Sequence, residues 1–169
     1  MTWKATMPKA ISNTSPLLYL HRIDVLDWLP RLLGEIWVPG AVVGELNEGR
    51  LRGYNVPDIK ECSWVRIIEP RSIPHEWFAL DLGAGELAAV SLALENPSSV
   101  VLLDDALARR IAKAAKLNVW GTLKILLEAK GQRLTTTIEP LIRRLKDAGM
   151  WISEDIERRI LTLAKERMG

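Results

Sequence analysis

Apolar and polar positions change rhythm repeatedly along the chain, and the changes predict strands and helices in alternation. Residues 9–13 read as a first strand, closed by Ser15 and Pro16; Pro16 opens a helix where its missing N–H costs nothing. Leu17, Leu18, Leu20, Ile23, Leu26, Leu29, Leu32 and Leu33 recur at roughly helical spacing, which predicts one helical stretch over 16–33. Residues 35–38 read as a second strand stopped by Pro39, 41–46 as a short helix, and 47–63 as a polar, glycine-bearing loop with room for a helical turn. A third strand is expected over 64–68 and a helix over 82–94. The apolar run at 100–103 has the look of a strand buried on both faces. A helix over 106–115, a fifth strand over 117–120 and a helix over 121–130 follow. Two amphipathic helices, 138–148 and 153–165, complete the series, the second with Ser153 placed to cap it.

Such alternation argues for a parallel sheet covered by helices, an α/β fold. The length of 169 residues fits one domain over 1–169, with the last two helices (about 137–167) packed on it. Hydrophobic residues at 48% and charged residues at 26% exclude global disorder. The single cysteine, Cys62, excludes an internal disulfide and a cysteine-cluster zinc site, and two histidines make a histidine-rich one improbable. No apolar stretch reaches the roughly 18–20 residues that span a bilayer. Lys4, Pro8 and Lys9 interrupt any signal-peptide core, so a cytoplasmic setting without membrane attachment is expected.

Net charge is only +2, so the placement of charge matters more than its sum. Arg109, Arg110, Lys113 and Lys116 share one predicted helix, and Arg143, Arg144 and Lys146 another. They read either as solvated helix faces or as a track for a phosphate backbone. Seven tryptophans are spread along the chain, and that dispersal predicts packing roles for them.

Ligands of open parallel sheets sit beyond the carboxyl ends of the strands. Asn13 and Ser15 fall there after the first strand, and Asp104 and Asp105 after the fourth. Glu45 and Glu86 lie near helix starts that deliver side chains to the same rim. Carboxylates about 4 Å apart repel by roughly 4 kcal/mol per pair at an effective dielectric of about 20, unless a cation compensates them. Oxygen-only ligands suit magnesium or manganese, and such ions activate water against a phosphodiester. Each acid also has a structural reading: Glu45 as a solvent-facing helix residue, Asp104 or Asp105 as a helix cap, Glu86 as a partner of a helix dipole.

The order of segments Ile11-Ser-Asn-Thr-Ser-Pro-Leu17, Val38-Pro-Gly-Ala-Val-Val-Gly-Glu45, Leu82-Gly-Ala-Gly-Glu-Leu-Ala-Ala-Val90, Leu102-Leu-Asp-Asp-Ala-Leu-Ala-Arg109 and Gly121-Thr-Leu123 is similar to PIN domains. The likeness is strongest to the small archaeal and bacterial group related to VapC-type toxins, and it covers about 9–165. It implies a three-layer α/β/α sandwich with a five-stranded parallel sheet and a ribonuclease dependent on Mg2+ or Mn2+. Glu45, Glu86 and one or both of Asp104 and Asp105 would be its metal-site acids, with Ser15, and more weakly Thr14, hydrogen-bonding at the site. RNA as substrate, an antitoxin protein as partner and pairing of two copies are further implications. Asn13 stands where the family has aspartate, and an amide brings no charge, which implies weaker metal binding and lower activity.

Two other readings compete. Without the first-strand acid, the domain would bind RNA or protein without cutting. Alternatively, Leu80-Asp-Leu-Gly-Ala-Gly-Glu86 resembles the glycine-rich loop of Rossmann-type nucleotide- or S-adenosylmethionine-binding enzymes, with acids about 20 residues later.

Overall fold

The computed structural model describes residues 10–168. Five strands, β1 Ala10–Ser12, β2 Ile36–Val38, β3 Val65–Ile67, β4 Val100–Leu102 and β5 Asn118–Trp120, form one wholly parallel sheet in the order β3-β2-β1-β4-β5. Lys9, the first residue of the first predicted strand, lies outside the described residues, as does Trp3.

Successive side chains of a strand point to opposite faces. Ala10, Ile36, Val38, Val100 and Leu102 therefore enter one core, and Ile11, Trp37, Val101 and Leu103 the other. The first core is closed by α1 Thr14–Arg22, α2 Trp28–Leu33, α3 Gly40–Leu51, α6 Thr122–Gly131, α7 Glu139–Asp147 and α8 Glu154–Leu163. The second is closed by α4 Ala84–Glu95 and α5 Ala106–Ala114. Burial on both sides explains why β4 reads as an unbroken apolar run. This is the helix-covered parallel sheet that the alternation of elements implied, in the α/β/α layering that the resemblance implied.

Two boundaries differ from the sequence reading. The stretch 16–33 is two helices, because Asp24 takes a left-handed conformation (φ 62°) and turns the chain. Leu20, Ile23, Val25 and Leu29 are buried on both sides of that turn, so the apolar spacing runs on where the helix does not. Helix α3 runs on to Leu51, through residues expected to be loop. Its last turns are solvated, and their support is polar: Glu48 pairs with Arg52 at 2.9 Å, four residues on.

Other features matched the reading. Ser153 caps α8, its hydroxyl accepting from the N–H of Ile156 at 3.2 Å. The basic run of α7 is engaged in ion pairs, Arg143 with Glu139, Arg144 with Asp24 and Lys146 with Glu157, which favours the bland reading there. Among the tryptophans, Trp37 is buried and Trp28, Trp64, Trp77 and Trp120 pack against the cores. Trp151 is the exception to the packing expectation, at 83% exposed. No helix among the described residues is long and apolar enough to cross a membrane.

The glycine-rich stretch at 82–86 lacks the strand that a dinucleotide site requires before it. A 3-10 turn, His75–Ala79, precedes it instead. The Rossmann-type reading fails on that geometry.

A side chain beyond α8 ties the end of the fold together. Glu166 accepts from the N–H groups of Ile138 (3.0 Å) and Glu139 (3.1 Å) at the start of α7, and pairs with Lys130 at 2.8 Å. Burial pushes its carboxyl up, but the Lys130 ammonium and the two N–H donors outweigh it and hold the group below the ordinary glutamate range. Glu166→Ala should remove roughly 2–4 kcal/mol of stability in denaturant melts, since it orphans two N–H donors and an ammonium. A depressed carboxyl stabilises fully above its unfolded pKa, roughly 4.3. The wild-type excess over the variant should therefore shrink as pH falls through the lower folded value. An excess that is flat between neutral and acid pH would contradict this role.

Candidate active site

Strand order reverses direction at β1, which has β2 on one side and β4 on the other. Open sheets part at such a point, and the crevice beyond the strand ends receives ligands. Asn13 follows β1 directly there. Its N–H continues the ladder to the Leu102 carbonyl (3.1 Å), which draws its side chain into the crevice at 4% exposure. Its Oδ1 is buried and has no hydrogen-bond partner among the described residues. An unpaired buried acceptor costs roughly 1–3 kcal/mol and calls for a water, an ion or a ligand to account for it.

Two hydroxyls beside Asn13 reach to acids on either side. Thr14 Oγ1 donates to Glu45 Oε1 at 2.7 Å, and Ser15 Oγ donates to Asp104 Oδ2 at 2.9 Å. Asp104 also accepts from the Thr122 N–H (2.8 Å) and hydroxyl (2.7 Å). Three donors thus fix its carboxylate, and it caps α6 and not the helix that follows it in sequence. The cap of α5 is Asp105, whose Oδ2 accepts from the Ala108 N–H at 2.9 Å. Its other oxygen accepts no hydrogen bond among the described residues.

Glu86, in the first turn of α4, reaches back to the Gly83 N–H at 3.4 Å. Burial pushes its carboxyl above the ordinary range, and the negative charges of Asp105, Glu45 and Asp81 push it the same way. Acids from α3, α4 and the β4–α5 junction therefore act on one another through this residue. Gly85 makes room for them. A Cβ there would overlap the Glu45 carboxylate and stand 3.0 Å from Asn13 Oδ1. So Asn13 and Glu45 meet over Gly85 and Glu86 feels the charge of both Glu45 and Asp105, while Thr14 and Ser15 orient acids and Asp104 already accepts three hydrogen bonds.

Sequence reasoning missed Thr122, Gly85, Asp81 and the position of Arg109. Thr122 is the second residue after β5, so the strand-end rule that found Asn13 would also have found it. Arg109 donates to the Leu103 carbonyl at 2.9 Å and stands beside Asp104 over Gly121.

Among the described residues, no three His, Cys, Asp or Glu side chains form a ready-made metal-binding group. The acids stand around an amide. Even so, an orphaned buried amide oxygen, unneutralised carboxylates and an all-oxygen donor set fit a hard divalent cation.

Comparison with known families agrees with this architecture: residues 9–166 match a family model described as DUF3368, PIN domain. The chain belongs to the PIN-domain family. No curated protein and no solved structure matches it. The PIN-domain match covers every residue of the crevice, from Asn13 to Thr122, and identifies a nuclease-like domain in general terms.

Proposed function

We propose that this PIN domain is a metal-dependent endoribonuclease, with Mg2+ or Mn2+ held by Asn13, Glu86 and Asp105 and with Glu45 beside them. The observation that carries the reading is the Asn13 amide oxygen, buried without a partner beside Glu45, with Glu86 under the charge of Glu45 and Asp105. PIN domains generally use divalent metals, and this donor set is compatible with one. A phosphodiester is itself an anion, so these acids repel it unless cation charge intervenes. When bound, such an ion activates a water and offsets charge on the leaving oxygen. The residues supply positioning. Thr14 holds Glu45, Ser15 and Thr122 hold Asp104, and the α5 cap fixes Asp105, so the carboxylates lose little freedom when substrate arrives.

A toxin role belongs to the same proposal. A small antitoxin would then cover the acidic rim, and two copies would pair through helices. Co-purification from the source cell and sedimentation test these two points.

The second reading, RNA or protein binding without cleavage, is favoured by one specific feature, the uncharged Asn13. An assay on short single-stranded RNA separates the two. Cleavage is expected with Mn2+ and should fall to background with a chelator. If wild type stays silent at every Mn2+ concentration while binding the strand, the non-catalytic reading stands.

A further inference from the structure

Two clefts flank the acidic crevice, and each shares residues with it. Thr14, Arg22, Glu45, Arg52 and Tyr54 line the first, and Asp104, Asp105, Arg109, Lys124 and Trp151 the second. Both carry an exposed aromatic: Tyr54 at 59% and Trp151 at 83%. Each sits on a held stretch of main chain. Tyr54 follows the left-handed Gly53 (φ 83°), and its N–H is tied to the Gly49 carbonyl at 2.9 Å. Trp151 lies between Met150 and Ile152, both packed against the first core, while its own side chain faces solvent.

Each cleft also holds an arginine anchored by main-chain carbonyls and in no ion pair among the described residues. Arg22 donates to Asn55 (3.1 Å) and Ala148 (3.0 Å), and Arg109 to Leu103 (2.9 Å). Arg52 and Lys124, by contrast, are paired with Glu48 and Glu128. An exposed aromatic and a guanidinium held by main-chain carbonyl groups are thus repeated on both sides of one acidic centre.

We propose that Tyr54 and Trp151 are base-stacking residues for a single strand laid across the crevice, with Arg22 and Arg109 engaging the phosphates on either side. The inference rests on the ribonuclease reading, which puts the scissile phosphate at the acids between the two clefts. A duplex keeps its bases stacked on each other, so rings of this kind recruit unpaired bases, and stacking is tolerant of sequence. A peptide partner would gain little from a cation in each of two clefts beside an acidic centre, whereas a polyanion does.

Binding of a fluorescein-labelled phosphorothioate RNA of about eight nucleotides, followed by anisotropy in Mn2+ and confirmed intact afterwards, tests the proposal. Trp151→Ala and Tyr54→Ala should each weaken binding about 5- to 150-fold, with Trp151→Phe and Tyr54→Phe close to wild type. Cleavage of the corresponding unmodified RNA should show the same loss in KM with kcat little changed. Alanine variants that fold, bind and cut like wild type would overturn the stacking proposal and leave the nuclease reading intact. Tight, ring-dependent binding without any cleavage would support stacking and defeat the nuclease reading. A wild type that is dimeric, turned monomeric by Trp151→Ala with RNA affinity unchanged, would mean that a second copy covers the ring and would also overturn it.

Discussion

Gly85→Ala is expected to reduce RNA cleavage about 100-fold while moving the thermal midpoint by no more than a few degrees. A methyl group at this position meets the Glu45 carboxylate and presses on Asn13 Oδ1 at 3.0 Å. Glu45 is exposed and its colliding atoms are the far end of a flexible chain, so it swings out and the backbone stays. That swing breaks its hydrogen bond from Thr14, a loss of about 1 kcal/mol. Alanine in a helix recovers up to about 1 kcal/mol over glycine, and stability nearly balances. Catalysis has no such compensation, because misplacement of about 1 Å at a reacting centre can cost 100-fold. Circular dichroism melts beside cleavage rates read both quantities. Full activity in the variant would mean that Glu45 has no part in the chemistry.

Asn13→Asp has effects of opposite sign with and without metal. It puts a fourth charge among Glu45, Glu86 and Asp105, in a position only 4% exposed. Without metal the added repulsion should lower stability by roughly 1–2 kcal/mol net, or several degrees at this chain length. With Mn2+ the same charge becomes attraction, and affinity should rise about 10- to 100-fold after desolvation takes its share. The melting order of wild type and variant should therefore invert between chelator and saturating Mn2+, and cleavage should increase. Asp105→Asn in the same background should cancel the gain. A variant whose midpoint ignores Mn2+ would place any ion elsewhere.

Much of this was legible in the chain because the sheet is buried on both faces. Continuous apolar runs at 36–38 and 100–103 are what a strand covered on both sides requires, and polar residues directly after them must lie at strand ends. Asn13, Asp104 and Asp105 were found by that rule, and Glu45 and Glu86 by resemblance as much as by position. Local features decided by tertiary contacts were not legible. Leu20, Ile23, Leu26 and Leu29 keep a helical rhythm across the turn at Asp24, because all four pack against one core. Two adjacent aspartates gave no sign that Asp105 caps α5 while Asp104 reaches to α6, since that depends on where Thr122 is brought by β5. Nor could dispersal of the tryptophans single out Trp151. Its exposure follows from Met150 and Ile152 both turning inward.

Anomalous scattering from a crystal soaked in manganese is the most direct measurement. A peak bonded to Asn13 Oδ1 and to the carboxylates of Glu86 and Asp105 is the expected result. No peak in the crevice at saturating manganese, or one confined to unrelated surface acids, would contradict it.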